Sequence, residues 1–439
     1  MHVLITADTV GGVWTYVREL TTALARRGVR ITLVSLGHIP SPHQTEWMED
    51  LPQFDFRPTA FRLEWMQDSE QDLELSTQYL LAVIREVQPD LVHLNQYGYG
   101  AMDIDVPKVL VAHSDVVSWW FAVHGGPPPE TPWLRWYRDT VLRGLLGADV
   151  VVAPSQTMLD AIRAHYFDAW TSGVPSVPWA CGPTNSTKNE DGVILTLSGA
   201  KRKDLLFSGA LNSIRDAGHV ARGSVSPPES AKAGRNDPQA PRTQVICNGR
   251  TPTLFNPHVS KEGYAISVGR LWDGGKQAVL LTQIEPPLPV YLVGSDAHPD
   301  DACRGGALRA HNDKLRFCGQ KSERELRQLY SRADMYLAPS RYEPFGLAPL
   351  EAALSRCALV LNDIPSFREL WGEHACYFRR NDAASLASAM EQFTLQPASC
   401  RAYANLAYRH ARTRFSGERM AGEYLELYHS LVRAEVSAA

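Results

Sequence analysis

The sequence predicts an α/β protein made of two doubly wound, parallel-sheet domains, and three observations carry that expectation. The chain opens on an apolar run, Met1 to Ala7, followed by a Gly-containing turn, an amphipathic helix and a second apolar run. This β-turn-α-β order is the repeating unit of doubly wound sheets. The same alternation returns after residue 263. Between the two lies a stretch rich in Pro, Gly, Ser, Asn and Lys, and 439 residues allow two or three domains.

Composition narrows the class. The apolar fraction of 44% is ordinary, so sizeable cores can form. A net charge of −4 with mixed signs argues against nucleic acid as the main partner. The seven cysteines (Cys181, Cys247, Cys303, Cys318, Cys357, Cys376 and Cys400) include no C-x2-C pair and follow no secretory signal. Reduced thiols in a cytoplasmic protein are the expectation. No apolar run reaches the ~20 residues of a membrane span.

In the first half, Asp8 to Trp14 is the Gly turn and Thr15 to Arg27 the helix, with Val17, Leu20 and Leu24 on one face. Val29 to Ser35 is the second strand. Gly11 and Gly12 let a ligand approach the backbone closely. The turn is not G-x-G-x-x-G, which weakens a dinucleotide reading. Leu73 to Val87 reads as a helix, and Asp90 to Asn95 and Val109 to His113 as strands. Ligands of open α/β sheets gather beyond the carboxyl ends of strands, where His93 and His113 stand. His93-Leu-Asn95 is read as shaping an acceptor pocket or as buried structure. Trp119-Trp120-Phe121 and Trp133 to Arg143 mix aromatics with arginines. Such a helix can lie on an anionic membrane; the favoured reading is a helix with one packed face and solvated arginines. Asp149 to Ser155 closes this half as a strand, with a helix from Gln156 to His165.

The polar stretch that follows is too broken to fold alone. Gly192 to Leu197 and Leu205 to Ile214 could form a strand and a helix within it. The expected organisation is a first domain over 1–167, a largely disordered insertion over 168–243, a linker over 244–262, a second domain over 263–415 and a terminal helix over 416–439. In the second domain Ala265 to Gly269, Pro289 to Gly294, Leu315 to Gly319 and Ala358 to Asn362 read as strands. Glu323 to Arg332, Ala383 to Phe393, Ala402 to Phe415 and Met420 to Val432 read as helices.

The stretch Ser340-Arg-Tyr-Glu-Pro-Phe-Gly-Leu-Ala-Pro-Leu-Glu351 organises the whole. It joins an apolar strand, Asp334 to Pro339, through a Gly turn to a helix over Leu350 to Ser355, with Pro349 suited to the first helical position. Such a turn aims backbone N–H groups and a positive dipole end at an anion, usually a phosphate. Glu343 and Glu351 bracket it, and a carboxylate accepts both hydroxyls of a vicinal diol. Arg270 and Lys276 stand six apart after a strand end, a pair suited to a leaving diphosphate whose charge grows as the glycosidic bond breaks.

Glu343 and Glu351, with seven residues between them and Pro-Phe-Gly-Leu inside, resemble the E-x7-E motif of retaining glycosyltransferases of the two-domain GT-B fold, closest to glycosyltransferase family 4. The resemblance covers about 1–167 and 244–435. It implies two Rossmann-like domains facing across a cleft, with the terminal helix crossing back to the first. It implies transfer of a hexose from a UDP-, GDP- or ADP-sugar to a hydroxyl of a glycan or lipid-linked envelope intermediate. Retention and no metal or other cofactor are expected. Glu351 would bind the ribose, Glu343 the sugar hydroxyls, and the backbone of Phe345, Gly346 and Leu347 the sugar and phosphate. Gly11 and Gly12 would face the diphosphate, Phe317 to Gly319 would border the base, Arg270 and Lys276 would hold the leaving group, and His113 would stand near the sugar. Many relatives act on lipid or envelope acceptors, so peripheral contact with the inner membrane face is the alternative placement. Gln277, where relatives often have a small residue or Asn, and Asn362 to Glu369, in place of Gly-Gly-x-x-Glu, depart from the pattern. The competing functions are a silent sugar-nucleotide-binding protein, an epimerase and a phosphorylase.

Overall fold

Strands buried on both faces anchor each lobe. β1 (His2–Asp8) buries all seven side chains, as a central strand of a covered parallel sheet must. It pairs with β2 (Arg30–Leu36) from His2↔Arg30 to Asp8↔Leu36. β3 (Phe54–Pro58) flanks β2, while β4 (Leu91–Leu94), β5 (Lys108–Val111), β6 (Val150–Ala153) and β7 (Arg242–Val245) continue on the other side of β1. All pairings are parallel, in the order β3-β2-β1-β4-β5-β6-β7. The second sheet comprises β8 (Ala265–Val268), β9 (Val290–Val293), β10 (Leu315–Gly319), β11 (Met335–Ala338), β12 (Ala358–Asn362) and β13 (Cys376–Phe378). It too is parallel, in the order β10-β9-β8-β11-β12-β13. Both are doubly wound, and the order reverses between β1 and β4 and between β8 and β11, where such sheets open a crevice.

The computed structural model describes residues 1–167, 241–297 and 313–438, all in one compact unit. The proposed strand at Gly192–Leu197, the helix at Leu205–Ile214 and the insertion over 168–240 lie outside the described residues. Residues 241–243 do not belong to an insertion: β7 begins at Arg242 and adds an edge strand beside β6.

The first lobe carries α1 (Gly12–Ala25), α2 (Pro42–Thr45), α3 (Glu70–Val87), α4 (Val116–His124), α5 (Pro132–Gly147) and α6 (Gln156–Ile162). The second carries α7 (Glu323–Arg332), α8 (Leu347–Leu354), α9 (Pro365–Trp371), α10 (Ala383–Leu395) and α11 (Pro397–Arg414). The last helix, α12 (Gly417–Ala438), returns to the first lobe. Its Met420, Ala421, Tyr424, Leu427 and Tyr428 share a core with Val17 and Leu20 of α1 and Val3 and Ile5 of β1. Alternate strand residues supply the opposite faces of each sheet: Leu4, Val92 and Leu110 on one side, Val3, Ile5 and Val109 on the other.

The arginine- and tryptophan-rich helix packs as the bland reading expects. α5 buries Leu134, Tyr137, Thr140, Val141, Gly144 and Leu145 and leaves Arg135 and Arg143 exposed. No helix among the described residues is long and apolar enough to cross a membrane. Cys247, Cys318, Cys357, Cys376 and Cys400 are free thiols; Cys181 and Cys303 lie outside the described residues.

The contact of α5 with the 3₁₀ turn Gly98–Ala101 depends on glycines. A Cβ on Gly144 would stand 1.8 Å from the Tyr97 carbonyl oxygen, and one on Gly100 2.1 Å from that of Gly144. Backbone cannot retreat as a flexible side chain can. Gly144→Ala should therefore cost about 3 kcal/mol, read as a lowered thermal midpoint. Gly126→Ala, with open space around it, should change stability by less than about 0.5 kcal/mol.

Candidate functional site

The site forms where the carboxyl ends of β1, β8 and β11 meet. α1 starts immediately after Gly11, whose φ of +91° suits glycine. α8 starts at Leu347, capped by Gly346 at φ +90°. The helix thus begins three residues before the expected Leu350, and Pro349 sits inside the first turn rather than at its head. That is tolerated because first-turn N–H groups have no intrahelical partner. A carbon added to Gly12 would stand 3.6 Å from Leu347 Cδ1, and one on Gly11 3.9 Å from Arg270 Nη1. Two helix N-termini and a guanidinium therefore converge from different lobes.

Lys276 and Glu343 form a direct ion pair, Nζ to Oε2, with side chains only 22% and 12% exposed. Ser340 Oγ adds a longer contact to the same oxygen, 3.4 Å. Arg270 Nη2 donates to Asp273 Oδ2 at 2.7 Å. The other Asp273 oxygen accepts from Gly275 N at 2.8 Å and from Trp119 Nε1 of α4 at 2.9 Å. The loop carrying both cations is therefore braced from the first lobe. It is also tied to the acidic turn, since Arg341 N and Tyr342 N donate to the Gly275 carbonyl at 2.8 and 3.2 Å.

The two departures from the family pattern have structural roles. Gln277 is buried in a left-handed conformation at φ 50°. In the amide orientation that satisfies its neighbours, its nitrogen donates to Asn381 Oδ1 and Pro339 O at 2.9 and 2.8 Å. Its oxygen then accepts from Arg341 Nε and Nη2 at 2.9 and 3.0 Å. Asn362, fully buried, donates to the carbonyls of Pro339 and Ser340 at 3.3 and 3.1 Å. Both amides hold the entry to the Ser340–Glu343 turn. Glu369 accepts from Gln156 N and Thr157 N, at 2.6 and 2.7 Å, and so caps α6 of the other lobe. Ser155 Oγ donates to Pro344 O at 2.6 Å alongside.

His113 lies just past β5, partly exposed. Its Nε2 is 2.7 Å from Asn95 Oδ1, and Asn95 Nδ2 donates to Thr6 O at 2.6 Å. With the amide so oriented, Nε2 carries the hydrogen and Nδ1 is an acceptor. Burial lowers its pKa to about 3, so the ring is neutral near pH 7. The neighbouring Asp115 N donates to the Tyr342 hydroxyl at 3.3 Å, linking this segment to the acidic turn.

Other expected residues are placed less centrally. The Phe345 ring is turned into the core, edge-on to Phe415 at 5.3 Å. Phe317 is 38% exposed on β10, an edge strand whose register shifts between Phe317 and Gly319. Glu351 is buried, its Oε1 2.9 Å from Arg250 Nε. Burial raises its pKa and Arg250 opposes that rise. Sequence reasoning missed Arg250, Asp273 as a brace, and two buried carboxyls near the β1 end. Asp8 and Glu64 are each raised to about 7 by burial. The only signal for Arg250 was its place directly after the Asn248-Gly249 turn.

The two-lobed architecture is the GT-B fold, the fold of a large class of glycosyltransferases. Residues 10–171 match Glycosyltransferase Family 4 and residues 255–410 match Glycosyl transferases group 1, so each lobe carries glycosyltransferase sequence character. The chain is similar to the lipopolysaccharide core biosynthesis mannosyltransferase LpcC of Rhizobium leguminosarum, 36% identical over 28% of this chain and 34% of LpcC. It is also similar to the O-antigen chain mannosyltransferase RfbU of Salmonella typhimurium, 34% identical over 45% of this chain and 57% of RfbU. The chain thus spans about a third to just over half the length of these relatives. The sucrose-phosphate synthase of Thermosynechococcus elongatus superposes over 99% of this chain and all of its own, with TM-score 0.67 at 18% identity, a likeness of fold.

His93 is not available to an acceptor. It is fully buried, with Nδ1 2.6 Å from the Tyr428 hydroxyl and Nε2 3.2 Å from that of Tyr16. Burial, then His113, lowers its pKa to about 3; Tyr424 and Asn95 complete its surroundings. The folded protein refuses a proton that the unfolded chain takes up below about pH 6.5, so this histidine makes stability fall as pH drops from about 6.5 toward 3. Between pH 6 and 5, His93→Gln should lose about 1 kcal/mol less stability than wild type, compared by urea unfolding. Equal losses would show that the native ring accepts the proton.

Proposed function

We propose that the protein is a retaining, metal-independent hexosyltransferase that moves a mannosyl group from a nucleotide-diphospho-sugar to a hydroxyl of a glycan or lipid-linked envelope intermediate. The observation that carries the reading is the convergence of the Lys276–Glu343 pair, Arg270 and the N-termini of α1 and α8 at both sheet switch points. Such a place suits a diphosphate with a sugar on one side and a nucleoside on the other. The mannosyl and envelope assignments rest on LpcC and RfbU, both mannosyltransferases.

In this reading the donor phosphates lie between Arg270, Lys276 and the two helix ends. The C1–O bond of the donor breaks, and the nucleoside diphosphate leaves with the electron pair. The growing negative charge on the phosphate is met by two fixed cations, which do the work a metal ion does elsewhere. The acceptor oxygen attacks C1 on the same face, and its proton passes to the departing phosphate oxygen. Configuration is retained. Glu343 accepts from sugar hydroxyls and favours positive charge on the ring. His113, neutral, offers Nδ1 as an acceptor to a donor-sugar hydroxyl. Glu351 accepts the ribose diol, the backbone of Phe345, Gly346 and Leu347 meets sugar and phosphate, Gly11 and Gly12 admit the diphosphate, and Phe317 to Gly319 borders the base. No cofactor beyond the donor is needed.

The test is calorimetry and released-nucleotide assay across GDP-mannose, UDP-glucose and ADP-glucose, with envelope glycan acceptors. Wild type should bind one donor and turn it over. Lys276→Ala should lose turnover by about 100-fold or more and weaken diphosphate binding. Glu343→Ala should lose turnover comparably and yet bind the free nucleoside diphosphate at least as well as wild type, because it releases Lys276. Binding with no turnover on any acceptor would favour the silent-binder alternative.

A further inference from the structure

Arg250 closes the Asn248-Gly249 turn and is completely buried. Its backbone N–H donates to the Phe415 carbonyl at 3.0 Å, and its own carbonyl accepts from Gly417 N at 3.0 Å, so its position is fixed. The guanidinium meets three carboxylates from three helices. Nη1 donates to Glu19 of α1 and Nη2 to Glu323 of α7, both at 2.6 Å, and Nε faces Glu351 Oε1 of α8 at 2.9 Å. Burial alone would lower its pKa, but Glu351, Glu19 and Glu323 together raise it.

The three carboxylates differ in what else they hold. Glu19 Oε2 also accepts from Thr251 N and Oγ1, at 2.9 and 2.7 Å. Glu323 is gripped on both oxygens by Arg18 of α1. Glu351 accepts no hydrogen bond from a described side chain, and its contact with Arg250 Nε is an ion contact outside hydrogen-bond alignment. A buried carboxylate with unused lone pairs is set for an incoming pair of donors. Without Arg250 its charged neighbours would be Glu323, Arg18 and Glu19, one cation against two anions around a buried carboxylate, which favours the protonated form.

We propose that Arg250 is the positioning residue for ribose recognition: its fixed guanidinium holds the Glu351 carboxylate in place, and through Glu19 it ties that carboxylate to the helix whose first turn borders the diphosphate. The inference rests on the reading of Glu351 as the ribose contact. A lysine cannot replace it, because a single ammonium lacks the geometry to face three carboxylates at once.

The experiment compares GDP with 2′,3′-dideoxy-GDP by calorimetry on the full chain, or UDP and its dideoxy form if GDP gives no heat. Wild type should bind the ribose form about tenfold or more tighter. Arg250→Met should weaken GDP by about tenfold and abolish the discrimination, while binding the dideoxy form within about threefold of wild type. Arg250→Lys, which keeps the buried charge, should restore part of the discrimination. If Arg250→Met does not fold, Arg250→Lys decides, and a ratio at least threefold below wild type is expected. A variant that discriminates as wild type does overturns the role of Arg250 and leaves the ribose reading intact. A wild type that binds both probes equally overturns the ribose reading, and this inference with it.

Discussion

Two guanidiniums and three carboxylates packed at the root of α1 are the interaction on which the rest depends. Arg18, Arg250, Glu19, Glu323 and Glu351 come from the first lobe, the linker and the second lobe. Taking such charges out of water costs several kcal/mol each, and the loss is recovered only where geometry is good and remaining valences are filled. Glu19 and Glu323 meet that condition on both oxygens. Glu323 shows the effect most clearly: burial pushes its pKa up, yet Arg18 and Arg250 bring it down to about 2. The cluster cannot form unless both lobes and the linker are in place, so it specifies one arrangement of the lobes. Glu351, the fifth member, is also the carboxylate proposed above to meet the ribose.

From this root the N-terminal ends of α1 and α8 are positioned by rigid elements. α1 runs from the cluster to Gly12, and α8 runs from Glu351 back to Leu347. Further lobe-to-lobe ties surround the same region. Trp119 reaches Asp273, Arg341 Nη1 donates to the Val123 carbonyl at 3.2 Å, and Glu369 caps α6. Asp273, Asn362 and Gln277 are alike: none of the three is read as a ligand contact, yet each holds backbone or a cation of the candidate site. A site assembled from loop ends is only as exact as these braces make it.

Fold and site were legible to different degrees. Buried parallel strands are continuous apolar runs, so β1, β8 and β12 could be read directly from their residues. β3 was not, because Phe54-Asp-Phe-Arg-Pro58 is an edge strand whose alternate residues are charged and whose apolar run is too short to register. Arg270, Lys276, Glu343 and Glu351 were visible because each pair sits in a short segment that follows a strand and contains a glycine turn. Arg250 and Trp119 were not, because their partners Glu19 and Asp273 are 231 and 154 residues away in the chain. His93 illustrates the opposite error. A histidine at a strand end looks functional until Tyr428, from a helix 335 residues later, closes over it.

The charge balance of the site bears on how donor binding and sugar recognition are linked. Both candidate phosphate-binding cations are already paired, Arg270 with Asp273 and Lys276 with Glu343. The two pairs are not equivalent. Asp273 is also held by Gly275 N and Trp119, so Arg270 keeps its partner and remains aimed with donors to spare. Among the described residues Glu343 has only Lys276 and the longer Ser340 contact. On the proposed reading, an arriving diphosphate draws Lys276 toward itself, and Glu343 is left with lone pairs that sugar hydroxyls can fill. Phosphate binding and sugar binding then become one exchange of partners rather than two separate events. The same exchange disfavours a donor fragment that brings phosphate without a sugar, because it would leave a mostly buried carboxylate short of hydrogen bonds. This cost is absent when Glu343 is removed, and it is a physical reason for the acidic and basic members of the site to touch before any ligand arrives.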